Sequence, residues 1–140
     1  MAQSIKLGSD TYLDISGITV NNSGRKLSDG AIDISSLFVW NTSDITFNFN
    51  SILAFYDPVS KMVTGNIVYE ASAAISSSVG WHCQIPIGYR PSANVTQACM
   101  YYHSSSGWQP GQLWFRSNGN VNQSTTNYWQ KCVCAFAYKV

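Results

Sequence analysis

Residues 44–58 read DITFNFNSILAFYDP. Ile45, Phe47 and Phe49 alternate with Thr46 and Asn48, a period of two that places the large apolar side chains on one face of an extended chain. The run then becomes wholly apolar and stops at Asp57-Pro58, where proline ends ladder pairing and aspartate suits a turn. After that turn, KMVTGNIVYEA (61–71) resumes the pattern. Two such runs across a short turn predict an antiparallel hairpin.

The same texture continues towards the C-terminus. SVGWHCQIP (78–86) reads as a strand with Val79, Trp81, Cys83 and Ile85 on one face and His82 and Gln84 on the other. NVTQACMYYH (94–103) sets Val95, Cys99 and Tyr101 against Ala98, Met100 and Tyr102. GQLWFRSNGNV (111–121) runs into Asn118-Gly119, a strong short hairpin signal. The closing YWQKCVCAFAYKV (128–140) is apolar on both faces, which suits a central strand between two layers. Strands recurring at about 8–12 residues between Gly, Ser, Asn and Pro predict an all-β antiparallel sandwich or barrel. Only SDGAIDISSLF (28–38) offers a short helix, capped by Ser28 or Asp29. The first forty residues hold strand fragments and turns with few large apolar side chains. They read as an N-terminal shoulder (1–40) ordered by packing on something else, ahead of a globular head (41–140).

Composition narrows the function classes. Charged residues are 11% of the 140 and aromatics 14%, against a usual charged share of about a quarter. Such a surface relies on neutral polar groups, and part of it is expected to be hidden in an oligomer. A net charge of +1 supplies no field for a phosphate backbone, so nucleic acid is not an expected partner. No stretch approaches the roughly 20 apolar residues of a membrane-spanning helix, and the opening MAQSIKLGSD lacks the apolar core of a signal peptide. Without export, the cysteines at 83, 99, 132 and 134 read as free buried thiols of a protein assembled in a reducing cytoplasm.

Catalytic chemistry needs groups that ionise or attack near neutral pH. The chain offers two histidines and seven carboxylates, four of them in its first quarter. No GxSxG, HExxH, P-loop or CxxC pattern occurs, and Cys132-x-Cys134 lacks zinc-ligand spacing. A Cys83–His103 couple would need an accessible electropositive pocket. Asp57 reads as a turn former and Glu70 as a solvated strand end. The expectation is no catalytic residue, no metal and no cofactor. YYHSSSGWQPGQLWF (101–115) is the conspicuous stretch, because rings beside hydroxyls, amides and imidazole form the general recipe for gripping a neutral ligand such as a sugar. Trp108, His103, Tyr101, Tyr102, Gln109 and His82 are the candidate ligand residues. Trp108 reads equally as a core anchor and His103 as a structural histidine; Trp81, Trp114 and Trp129 read as core or subunit contact.

The order IPIGYRPSANV (85–95), strand, loop, GQLWFRSNGNV, closing strand resembles that of phage tail-fibre and baseplate receptor-binding proteins. Ile85, Pro86, Gly88, Tyr89, Arg90 and Pro91 match their lP-x-GYRP break, and Gly111, Leu113, Asn118, Gly119 and Val121 match their late hairpin. The resemblance implies a homotrimeric, jelly-roll-like β-sandwich head in the virion. Such a head binds a host-surface polysaccharide or glycoconjugate without catalysis and attaches through another tail or baseplate protein. No saccharide-contacting residue of the family falls within the matched motifs. Pro86, Gly88, Tyr89, Arg90, Pro91, Asn118 and Gly119 are expected to be architectural, ending one strand and turning another. The alternatives are a structural tail-tip or decoration protein whose aromatics serve packing, and a tail-associated polysaccharide hydrolase.

Overall fold

A computed structural model describes residues 30–76, 78–124 and 129–140, together with the backbone of four short strands before them. Those four form two separate antiparallel ladders, β1 (Ser4–Lys6) with β2 (Tyr12–Asp14) and β3 (Thr19–Val20) with β4 (Arg25–Lys26). The remaining strands are β5 (Ile32–Asp33), β6 (Val39–Trp40), β7 (Phe47–Asp57), β8 (Met62–Ile75), β9 (Cys83–Gln84), β10 (Val95–His103), β11 (Gly107–Phe115), β12 (Asn120–Gln123) and β13 (Trp129–Lys139). They make one nine-stranded antiparallel sheet in the order β5-β7-β8-β13-β10-β11-β12-β9-β6. The protein is all-β, with no α-helix among the described residues.

The sheet curls so that one face encloses the core. Trp40, on the edge strand β6, comes within 5.0 Å of the Phe47 ring and 6.1 Å of the Tyr69 ring, near the opposite edge. Phe115 meets Phe136 at 4.8 Å and Tyr138 at 5.8 Å, while Tyr101 stacks on Trp129 at 4.4 Å. Rings fill the space because each buries a large area for few rotatable bonds. Ile34 and Phe38 belong to the same core. Residues 30–38 hold strand β5 and a single 3-10 turn at Ser35–Leu37 instead of an α-helix. Asp33 accepts from the backbone N–H and hydroxyl of Ser35, a local turn bond that competes with helix. Ser28 and Asp29 lie outside the described residues.

The hairpins expected from the sequence are present. Asp57 Oδ1 accepts from the Val59 N–H and Oδ2 from the Ser60 hydroxyl, closing the β7–β8 turn. Asn118-Gly119 closes β11–β12, with Gly119 at φ 95° and its N–H donating to the Arg116 carbonyl at 2.8 Å. That turn meets the GYRP break. The positive φ favours glycine at 119, and a Cβ there would lie 2.5 Å from Arg90 Nε and displace the guanidinium packed on the turn. Arg90 Nε also donates to the Ile85 carbonyl, Tyr89 meets Tyr56 edge-on at 5.1 Å, and the Tyr138 hydroxyl donates to the Tyr89 carbonyl. After β9 the chain is therefore pinned to both ends of the sheet, which accounts for an aromatic and a cation at a strand stop.

Three readings from alternation are corrected. A register shift between Phe47 and Phe49 is a β-bulge, and it turns Phe49 to the outer face instead of continuing the inward series. β9 covers only Cys83–Gln84, so the alternation drawn through Trp81 and His82 does not extend there; His82 is buried and Trp81 only partly so. The closing strand β13 is central in the sheet, yet its outer face carries exposed Val133, Ala135 and Ala137 with no second layer from this chain among the described residues.

Close packing on the inner face makes small residues indispensable where strands approach. A Cβ on Gly65 would lie 2.1 Å from the Leu53 carbonyl oxygen and 2.9 Å from the Phe136 ring. Gly65→Ala is expected to cost about 3 kcal/mol, the upper range of overpacking. Gly80→Ala, with nothing within 4 Å of the added carbon, should stay within about 0.5 kcal/mol of the parent. Urea unfolding of both variants checks the pair, and equal midpoints would contradict the packing described.

Candidate functional site

Cross-strand register assembles one line of side chains on the outer face. Trp108 pairs with Tyr102, Tyr102 with Lys131, Lys131 with Glu70, and Glu70 with Phe49. Five neighbouring strands, β11-β10-β13-β8-β7, each contribute one residue. Two bulges make this possible. The shift before Phe49 turns that ring outward, and a second shift between Trp129 and Lys131 sends Trp129 into the core and Lys131 to the surface. Without the second bulge, Lys131 would share the inward parity of Trp129.

The ends of the line are rings and its centre is an ion pair. Trp108 is 49% exposed and Phe49 54%. Tyr102 meets Trp108 edge-on at 5.8 Å, and Lys131 Nζ lies 5.4 Å from the Tyr102 ring centre. Lys131 Nζ stands 3.0 Å from Glu70 Oε2. The hydrogen bond from Lys131 holds the Glu70 carboxyl below its ordinary value, helped by its charge and by Asn48. Between Trp108 and Phe49 lies an open groove of about 280 Å³, floored by Val68 and Val133. Such a groove presents apolar walls to C–H faces and, from one charge pair, both acceptors and donors to hydroxyls.

The sequence candidates separate into two groups. Tyr102 and Trp108 meet on the outer face, and the exposure of Trp108 removes it from the core. Tyr101 lies inside, its ring stacked on Trp129. His82 is fully buried, with Nδ1 2.8 Å from the Tyr69 hydroxyl and Nε2 without a partner. His103 and Gln109 point to the other side of the β10–β11 hairpin from Trp108 and brace its tip. His103 Nδ1 is bonded to the Ser105 N–H and hydroxyl, and Gln109 Nε2 donates to the Ser106 carbonyl. Phe49 and Lys131 carry no ligand signal in the sequence, and Glu70, read there as a solvated strand end, lies inside β8 and pairs with Lys131. Alternation through 44–58 flags Phe49 as part of a strand face, but the pairing that sets it beside Glu70 has no local signal.

Elsewhere the chemistry is quiet. Cys83 is fully buried and burial pushes its thiol up, the opposite of an activated nucleophile. Burial likewise raises Cys132 and Cys134; Cys99, which is hydrogen-bonded by Cys132, is shifted down. All four are free and buried. Among the described residues no group of three His, Cys, Asp or Glu could hold a metal, and no helix is long and apolar enough to cross a membrane. A second hollow of about 280 Å³ beside Asp44, Thr46, Ser72 and Ser76 contains no aromatic ring. No known protein family, curated protein or solved structure matches the chain.

Burial holds the His82 imidazole neutral and lowers its pKa from 6.5 to about 4. The unfolded chain takes up this proton near the ordinary value of about 6.5, so between those two values it binds more protons than the folded state. The stabilisation is complete above pH ~6.5 and is lost as pH falls towards 4, by up to about 1.4 kcal/mol per pH unit. Urea midpoints measured from pH 7 to 4.5 should fall accordingly, and a flat profile would contradict a buried neutral His82. Tyr69→Phe, which removes the hydroxyl at Nδ1, should cost about 1–3 kcal/mol at pH 7.

Proposed function

We propose that this protein is a non-catalytic adhesin of a phage tail, a homotrimeric head that attaches the virion to a host-surface saccharide. The single observation that carries the ligand class is the outer-face line of ring, ring, ammonium, carboxylate and ring over an apolar floor. A pyranose has C–H faces that stack on aromatic rings and hydroxyls that need both donors and acceptors. Glu70 and Lys131 cancel in charge, so the groove favours a neutral ligand. Binding needs no cofactor, and the rigid sheet holds the groove in shape before the ligand arrives.

The virion context rests on the likeness of the GYRP break and the late Asn-Gly hairpin to tail receptor-binding heads. The contact between Arg90 and Gly119 gives those two motifs a shared physical reason. In this reading the two halves of the curled sheet act as the layers of a sandwich, and the subunit is assembled in the host cytoplasm, which suits four free thiols. Attachment to the particle then runs through another tail or baseplate protein. A purely structural tail-tip role is the second reading, favoured by exposed apolar side chains outside the groove, Leu53 and Met100 among them.

Purified protein on a glycan array and on host cells tests the proposal. Trp108→Ala should weaken binding by about 2 kcal/mol or more, the scale of an aromatic hot spot, with an unchanged melting temperature. Phe49→Ala and Glu70→Gln should each weaken it less, and His103→Ala least of all. Absence of binding to any glycan or cell would favour the structural role. Time-dependent release of reducing ends from a bound polysaccharide would move the assignment to a hydrolase.

A further inference from the structure

The nine-stranded sheet is joined unevenly. Its order sets β5, β7, β8 and β13 on one side and β10, β11, β12, β9 and β6 on the other, so the β10–β13 ladder is the seam between two halves. On either side of the seam pairing is long: β10 follows β11 from Val95 to His103, and β13 follows β8 from Trp129 to Lys139. Across it, among the described residues, backbone pairing covers residues 100–102 against 131–133. Beyond Met100, side chains take over. Gln97 Nε2 donates to the Ala137 carbonyl at 2.9 Å, and the Cys134 thiol to the Ala98 carbonyl at 3.5 Å. A join with so few backbone bonds is where a sheet opens locally most easily. Two core thiols straddle it. Cys132 pairs with Tyr101, and Cys99 stands two residues before Tyr101 on the same face. Diagonal neighbours of this kind come within reach of each other, and sheet twist shortens one diagonal. Here the Cys132 thiol donates a hydrogen bond to the Cys99 sulfur.

We propose that Cys99 and Cys132 are an oxidation site, at which a small disulfide such as oxidised glutathione converts the two thiols into a cross-strand disulfide that staples the seam. Cys99 is the point of entry, 7% exposed where Cys132 is at 0%. Donation from Cys132 holds the Cys99 thiol below its ordinary value, which favours the attacking thiolate. The Cys99 sulfur attacks one sulfur of glutathione disulfide; that S–S bond breaks, and a glutathione thiolate leaves with the electron pair. Cys132 then gives up its proton and attacks the Cys99 sulfur of the mixed disulfide, releasing the second glutathione. Two protein thiols are oxidised, one glutathione disulfide is reduced to two thiols, and the protein's two protons pass to them. Burial raises Cys132 as well, but its target is a sulfur already in contact, and proximity compensates. Cys83 and Cys134 stay reduced, because burial raises both thiols and Cys134 is turned to the carbonyls of Ala98 and Ala135. The staple lies directly beneath the groove line, since Tyr102 and Lys131 are the next pair across the same seam. A chain folded in a reducing compartment keeps both thiols and closes the bridge on leaving it. Nothing in this chemistry depends on the groove holding a sugar.

The test is to incubate the folded full chain with oxidised glutathione, block the remaining thiols with iodoacetamide in denaturant, and read intact mass and mapped peptides. The parent should lose the mass of two hydrogens without a lasting glutathione adduct. Two of its four cysteines, Cys83 and Cys134, should remain open to alkylation, and the mapped link should join Cys99 to Cys132. The oxidised chain should unfold at a higher urea midpoint than the reduced chain, and dithiothreitol should return it to the lower one. Cys132→Ser should stop at a glutathione adduct on Cys99, Cys99→Ser should form no link, and Cys134→Ser should still form it. The parent's own mass and peptide map keep the test decisive where a buried serine prevents folding. Four alkylatable cysteines after glutathione treatment, a stable adduct on the parent, or a link through Cys83 or Cys134 would each overturn the proposal. A Cys99–Cys132 link that leaves the urea midpoint unchanged would overturn the staple. Glycan binding is read separately, so its failure bears on the groove and not on these thiols.

Discussion

A sheet has two faces, and a single domain of this size can turn only one of them inward by curling. The inner face is filled with rings: Tyr69, Tyr101, Phe115, Trp129, Phe136 and Tyr138 occupy the space that curvature creates. The curl brings Trp40 of one edge strand onto Phe47 and Tyr69 near the other, so the core is closed by side chains where backbone pairing stops. Whatever the molecule presents to a partner must then come from the outer face or from the turns. The outer face is accordingly where exposed Phe49, Leu53, Met100, Trp108 and Val133 are found.

Two bulges turn that constraint into a site. The first leaves Asn48 as the one extra residue of β7, the second sets Gln130 of β13 against residues 71–74 of β8, and each changes the face presented by the strand beyond it. In β7 the reversal moves Phe49 out, and in β13 it moves Lys131 out while Trp129 stays in. Both lie at the same level of the sheet, so their effects align in one row with Glu70, Tyr102 and Trp108. Lost ladder pairing is the local cost, offset by the stacked Tyr101–Trp129 pair beneath. The GYRP break serves the same end from a distance. By fixing Arg90 on Gly119 and Tyr89 against Tyr56 and Tyr138, it holds the short strands β9 and β12 to the long ones and preserves the curl.

Under the proposed function, an open groove of this size would bind a sugar with modest affinity. In the proposed trimer, repetition is the physical remedy, because several shallow sites in one assembly raise the overall affinity without any new contact. The Glu70–Lys131 pair, about a third exposed at the centre of the line, contributes little to stability. Its value in this reading is directional hydrogen bonding to hydroxyls.

The sequence by itself determined the all-β class, the hairpins at Asp57-Pro58 and Asn118-Gly119, the inward series Cys99 and Tyr101 against outward Ala98, Met100 and Tyr102, and the strand stop at Pro86. These are local matters, fixed by dihedral preference and a two-residue period. It also drew attention to the 101–115 hairpin, from which Tyr102 and Trp108 enter the groove. The tertiary structure decided the rest. It buried His82 and Tyr101, turned Phe49 outward, set Lys131 beside Glu70, and left the far side of β13 uncovered. Parity along a strand is written in neighbouring residues, but bulges, register and curvature are set by partners far away in the chain, and those partners decide which side chains stand together.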